Sequence, residues 1–202
     1  MQKSTSLEEI RQVIGKLREQ KGKEKQTLEL INEALSFGHD FVANLFFEEA
    51  LTYQHLKSVS EMEKAVLKAK FYIDKYKLIN LKPRLFTFLG KVEELNSRFN
   101  KAIVNYKRSL FIHKKAGNSI EVLGHLSYSM IMNGQTDAGY KLAKSTYKKF
   151  FDSEVGMKLE KNDYSTWAIW MSGVTIRTVN ALIAKKVSFN KQEIEKWIKN
   201  TE

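Results

Sequence analysis

Apolar residues recur at helical spacing along most of the chain, with short polar breaks between the runs. Leu7, Ile10, Ile14 and Leu17 form the first stripe, with Ser6 and Glu9 placed as a capping box and Gly22 as its end. Leu28, Ile31, Ala34 and Leu35 mark a second helix that stops near Gly38. A third is predicted from about Asp40 to Leu56, and a fourth from about Glu61 to Tyr76 through Ala65, Ala69 and Ile73. Pro83, the only proline, suits the opening of a fifth helix, where its missing N–H is not needed. Phe86, Leu89 and Val92 give that helix its stripe. A sixth carries Ala102, Tyr106, Ser109 and Leu110 and is broken by the run from Lys114 to Ser119. The seventh runs from Ile120 to Met132, before Asn133-Gly134, and the eighth from about Thr136 to Phe151.

Taken two at a time, these helices repeat. Thr27, Ala65, Ala102 and Gly139 open the second helix of each pair, at spacings of 38, 37 and 37 residues. Four residues on stand Ile31, Ala69, Tyr106 and Ala143, and seven on stand Ala34, Tyr72, Ser109 and Thr146. Gly15, Gly90 and Ser127 are small residues on the first helices, expected where the two helices of a pair approach closely.

The pattern resembles the tetratricopeptide repeat family. The resemblance is carried best by Phe86, Leu89, Gly90, Ala102, Tyr106 and Ser109, and next by Leu123, Leu126, Ser127, Met130, Gly139 and Ala143. It covers about residues 7–151 and implies a right-handed all-α solenoid of four antiparallel helix pairs within one domain, 1–202. The chain departs from the family in its longer period and in having no Trp in the four pairs. In the second pair, either Ala50 or Tyr53 can set the register of the first helix. Residues 152–202 do not continue the repeat. Asp163 can cap a long helix from about Tyr164 to Lys185, with Trp167, Trp170, Met171 and Val174 on one face. Ile169, Ile176, Val179 and Ile183 lie on another, so this helix is expected to be covered on two sides, as a cap on the last repeat. A short final helix would lay Ile194, Trp197 and Ile198 against it. Arg177 and Asn180 inside the most apolar stretch argue against a membrane span.

The resemblance also implies a concave groove lined by the first helices of the pairs. Its positions fall on Asn44, Phe47, Leu51 and Gln54, with Ala50 setting the register, on Arg84, Thr87, Lys91 and Glu94, and on Glu121, Gly124, Tyr128 and Ile131. The implied function is that of an adaptor or scaffold in the cytoplasm, binding a protein or peptide segment in this groove. A peptide-sensing regulatory domain is a further alternative.

Charge points to a second surface. Residues 62–150 carry 18 basic and 6 acidic residues, and so account for the whole net charge of +11. Most of these bases fall on second helices, the convex side of such a stack. Lys64, Lys68, Lys101, Lys107, Arg108, Lys141, Lys144, Lys148 and Lys149 are the candidates for contact with nucleic acid or an acidic partner. Against nucleic acid stands the preference for Lys, 28 against 6 Arg, with no recognised nucleic-acid-binding motif.

The absence of Cys excludes disulfides and thiolate chemistry. No phosphate-binding loop, dinucleotide fingerprint or hydrolase motif is present, so no enzymatic role or cofactor is expected. His39, His55, His113 and His125 are scattered, with no carboxylate or second His at ligand spacing, and the adjacent pairs Glu48-Glu49 and Glu93-Glu94 point about 100° apart on a helix, so neither reads as an acid–base dyad.

Overall fold

A computed structural model describes residues 7–34, 39–112, 120–151 and 164–199. Among them are ten α-helices and no strand. The helices are α1 (Leu7–Arg18), α2 (Glu24–Ala34), α3 (His39–His55), α4 (Val59–Lys75), α5 (Lys82–Leu95), α6 (Phe99–Ile112), α7 (Ile120–Met132), α8 (Thr136–Phe151), α9 (Tyr164–Ala184) and α10 (Lys191–Lys199). A 3-10 turn, Ile79–Leu81, leads into α5, and Pro83 stands in the first turn of that helix as predicted. Ser6, Gly38, the break at 114–119 and Asp163 lie outside the described residues, as do His113, Lys114 and Lys115. The side chains of His39, Lys149, Ile169, Trp167, Trp170, Met171 and Ile198 also lie outside them.

The chain divides into two compact units, Met1–Asn96 and Ser97–Glu202. In the first, α1 packs on α2 and α3, α2 on α3, α3 along α4, and α4 on α5. Its main core joins Phe46, Phe47 and Ala50 of α3 to Met62, Ala65, Ala69 and Ile73 of α4 and to Leu85, Phe88 and Val92 of α5. A smaller cluster of Ile14, Ile31, Ala34 and Leu45 ties α1 and α2 to α3. In the second unit α7 packs on α6, α8 and α9, while α9 also meets α8 and α10. Ala102, Ile103, Tyr106, Val122 and Leu126 join α6 to α7. In both units the principal contacts run between helices one or two places apart in the chain.

The repeated small positions are buried. Thr27, Ala65 and Ala102 have no exposed surface, and Gly139 is buried at a very close approach. A Cβ on Gly139 would stand 2.7 Å from Ile131 Cγ1 and 2.8 Å from the Ser127 carbonyl oxygen, so α7 and α8 pack too tightly there for any side chain. Of the two residues that could set the register of α3, Ala50 is the fully buried one and Tyr53 is half-buried. Gly15 corrects the expectation, because no atom stands within 4 Å of a Cβ placed on it.

A second regularity lies in the turns. Gly22, Lys57, Ser97 and Gly134 have positive φ, at 84°, 56°, 57° and 85°. Each stands two residues before the start of a second helix, at Glu24, Val59, Phe99 and Thr136. A left-handed residue at such a place lets the following N–H groups reach back to the preceding turn. Ser58 N–H bonds to the Tyr53 carbonyl at 2.9 Å, and Gln135 N–H to the Met130 carbonyl at 2.9 Å.

The long helix α9 departs from its expected double burial. Val174, Thr178, Ala181 and Leu182 are buried, but Ile176 and Ile183, two turns apart on another side, are exposed. Val179, the other described residue of that second face, is half-buried against the cluster of Val174, Tyr147 and Trp197, so the second face is only partly covered among the described residues. Ile194 and Trp197 of α10 are buried as predicted.

Candidate functional site

In residues 1–96, α1, α3 and α5 bring together a polar cluster on an aromatic base. Glu48 is nearly buried on α3 and receives two guanidinium groups. Arg18, at the end of α1, donates Nη1–H to Glu48 Oε2, and Arg84 of α5 donates Nη2–H to Glu48 Oε1 at 2.8 Å. The other terminal nitrogen of Arg84 donates to Asn44 Oδ1 at 3.0 Å. Its guanidinium lies over Phe47 and Phe88, 5.0 and 5.8 Å from the ring centres, and those rings stack on each other at 4.8 Å. A planar cation between two rings and a carboxylate is held in one orientation. Arg18 is fixed in turn by Glu19, at 2.8 Å, and its carbonyl oxygen stands 3.0 Å from His55 Nδ1.

Arg84 keeps unused capacity. Its side chain is 27% exposed, and of its five N–H groups only those toward Glu48 and Asn44 are engaged among the described residues. Further along α3 lie Leu51 and Gln54, both half-buried, and Gln54 Oε1 has no hydrogen-bond partner. Glu49 points away from Glu48 and pairs with Lys68 of α4 at 3.2 Å, which is the divergence expected of neighbours on a helix.

Several groove positions are not available to a partner. Phe47 and Ile131 have no exposed surface, Thr87 donates its hydroxyl to the Pro83 carbonyl, and Lys91 is buried with its ammonium 5.3 Å from the centre of the Phe88 ring. Each first helix must seat against more than one neighbour, so its buried stripe is wider than a one-sided groove allows. In residues 97–202 the groove side of α7 is filled by α9. A Cβ on Gly124 would stand 2.5 Å from Val174 Cγ2, and Ile131 packs with Ala181 and Leu182. Tyr128 is half-buried against that cluster and edge-on to Phe99 at 6.0 Å. Glu121 is half-buried with its Oε1 4.0 Å from His125 Nε2, one helical turn on. Asn44, Leu51, Gln54, Arg84 and Glu94 remain partly exposed.

The lysines of the basic face separate into local groups. Lys64 pairs with Glu61 at 2.6 Å, and Lys68 with Glu49. Lys101, Lys107 and Arg108 are exposed on α6. Lys141, Lys144 and Lys148 line a cleft of about 530 Å³ between α8 and α10. The floor of this cleft holds Tyr147 and Trp197, stacked at 4.6 Å and 16°. Glu193 of α10 accepts from the Tyr140 hydroxyl at 2.9 Å and pairs with Lys144 at 3.0 Å. Burial and the bond to Glu193 push the Tyr140 hydroxyl up to about 12.

Sequence reasoning missed Arg18, Glu48 and the Glu193 contacts. A signal for Glu48 was present, since it is an acid inside the apolar run from Phe41 to Leu51, where a carboxylate needs cationic partners. Among the described residues no helix is long and apolar enough to cross a membrane, and no group of three or more His, Asp or Glu is placed to hold a metal ion. Comparison of the chain with models of protein families, with curated proteins and with solved structures finds no match.

Proposed function

We propose that the chain is a non-enzymatic binding module of the kind its resemblance to tetratricopeptide repeats implies. It takes a peptide segment on the α3–α5 face of residues 1–96. The observation that carries this reading is the state of Arg84 and Gln54. Arg84 is held rigid by Glu48, Asn44 and two rings, yet retains free donors and 27% exposure. Gln54 has a buried acceptor, Oε1, with no partner among the described residues. A peptide backbone supplies both complements, a carbonyl or carboxylate for the guanidinium and an N–H for the amide once it turns outward. Asn44 and Gln54 are ten residues apart on α3, about 15 Å along the axis, which an extended segment of about five residues spans. Leu51 lies between them as an apolar contact.

The test is a selection of heptapeptides from a random library on the whole chain, followed by fluorescence anisotropy. Selected peptides are expected to lose about tenfold in affinity on Arg84→Lys, which keeps the charge and removes the fork, and a similar factor on Gln54→Leu. Peptides that bind both variants as tightly as the parent chain would rule out this face.

A further inference from the structure

We propose that the cleft between α8 and α10 is a binding site for a small aromatic phosphate, meaning a planar ring joined to a phosphate group. This reading is independent of the peptide face, which lies in the other unit. The cleft volume of about 530 Å³ falls in the range of small-ligand pockets, roughly 300–1,000 Å³. Its walls combine aromatic surface from Tyr140, Tyr147 and Trp197 with lysines from α8, so it suits a ligand with an apolar body and an anionic end.

The balance of charge selects the anion. Glu193 already occupies Lys144. Lys141 and Lys148 line the same cleft, and neither has an ion pair or side-chain hydrogen bond among the described residues. They are seven residues apart, hence on the same side of α8 and about 10.5 Å apart along its axis, within convergent reach of two flexible side chains. Two ammonium groups that make no direct ion pair match a phosphomonoester, with a charge of about −1.5 to −2 at neutral pH, better than a single carboxylate. Asp137, one turn before Lys141, lies at the opposite end of the stripe from Lys148 and repels an anion there. The phosphate is therefore directed toward Lys148.

The floor favours a small molecule over a strand of nucleic acid. Trp197 and Tyr147 are 4% and 6% exposed and stack on each other, so the aromatic surface they leave open suits one small ring and is too small for successive bases to stack on. The Tyr147 hydroxyl donates to the Trp197 carbonyl at 3.2 Å, and Glu193 holds Tyr140, so the walls are fixed before a ligand arrives.

Isothermal titration of the whole chain tests this with phenyl phosphate and AMP as probes. Inorganic phosphate, phenol, glucose 6-phosphate and a single-stranded RNA dodecamer serve as comparisons. At least one of the two probes is expected to bind at one site per chain, about tenfold or more tighter than inorganic phosphate, phenol or glucose 6-phosphate. The exposed double variant Lys141→Gln/Lys148→Gln is expected to lose that binding by about tenfold with an unchanged melting temperature. Failure of both probes to bind at millimolar concentration overturns the proposal. So do binding that survives the double variant, equal binding of inorganic phosphate or glucose 6-phosphate, and binding of RNA alone.

Discussion

Gly124 and Val174 approach so closely that a methyl group on the glycine would stand 2.5 Å from Val174 Cγ2. Helix α9 thus seats directly on α7, in the place the repeat pattern assigned to a groove. Gly124→Ala is expected to lower stability by about 1–3 kcal/mol, as overpacking does. Gly139→Ala should be at least as harmful, because its nearest neighbours include the Ser127 carbonyl oxygen at 2.8 Å and the Ile131 nitrogen at 3.0 Å, and backbone yields less than a side chain. Gly15→Ala, with open space around it, should raise stability by about 0.5–1 kcal/mol through helix propensity. Urea denaturation of the three variants gives the order directly, and a destabilised Gly15→Ala would contradict the packing of α1.

The neighbouring glutamates of α3 should behave differently. Glu48 serves two arginines and is nearly buried, so Glu48→Ala leaves both cations without that partner and is expected to cost about 3 kcal/mol. Glu49 is buried as well, but it pairs with one half-exposed lysine and its Oε2 has no hydrogen-bond partner among the described residues, so neutral Glu49→Gln is expected to cost clearly less than Glu48→Ala, about 1 kcal/mol or below. Chemical denaturation of the two variants compares them, and equal losses would remove Glu48 from its central place.

The turns invite substitution toward glycine. Lys57 and Ser97 hold the left-handed conformation that Gly22 and Gly134 hold at the equivalent places. Lys57→Gly and Ser97→Gly should each raise stability by up to about 1 kcal/mol, and Gly134→Ala should lower it by about the same amount. Thermal melts of the three variants check both signs.

Tyr140 makes the stability depend on alkaline pH. Its hydroxyl is raised from 10.0 to about 12, first by burial and then by the bond to Glu193. A raised value means the folded chain holds the proton more tightly than the unfolded one. The resulting stabilisation is complete below about pH 10 and is lost as pH rises toward 12. Denaturation between those limits should show a decline in the parent chain that is shallower in Tyr140→Phe, and absorbance at 295 nm should lose one late tyrosine titration in that variant.

Most of the helices were legible because their signals are local. Periodic apolar residues, Pro83 at the head of α5, and Gly22 and Gly134 after first helices all act within a turn or two of themselves. The small residues at Ala65, Ala102 and Gly139 were legible as well, since their spacing reports close packing. The site was less so. Arg18 and Glu48 are 30 residues apart and Tyr140 and Glu193 are 53 apart, and no local pattern couples such pairs. The burial of Phe47, Lys91 and Ile131 escaped for a related reason. Periodicity locates the centre of an apolar stripe but not its width, which depends on how many neighbours the helix meets.

The stack of Trp197 on Tyr147 has an optical consequence. The indole sits near the end of the last helix, shielded from water and 4.6 Å from a phenol ring. Detachment of α10 would expose it and shift its emission to the red, while the helices before it keep their fold. The difference spectrum between the parent chain and Trp197→Phe isolates this signal from Trp167 and Trp170. It makes the end of the chain an intrinsic fluorescent gauge of its own docking.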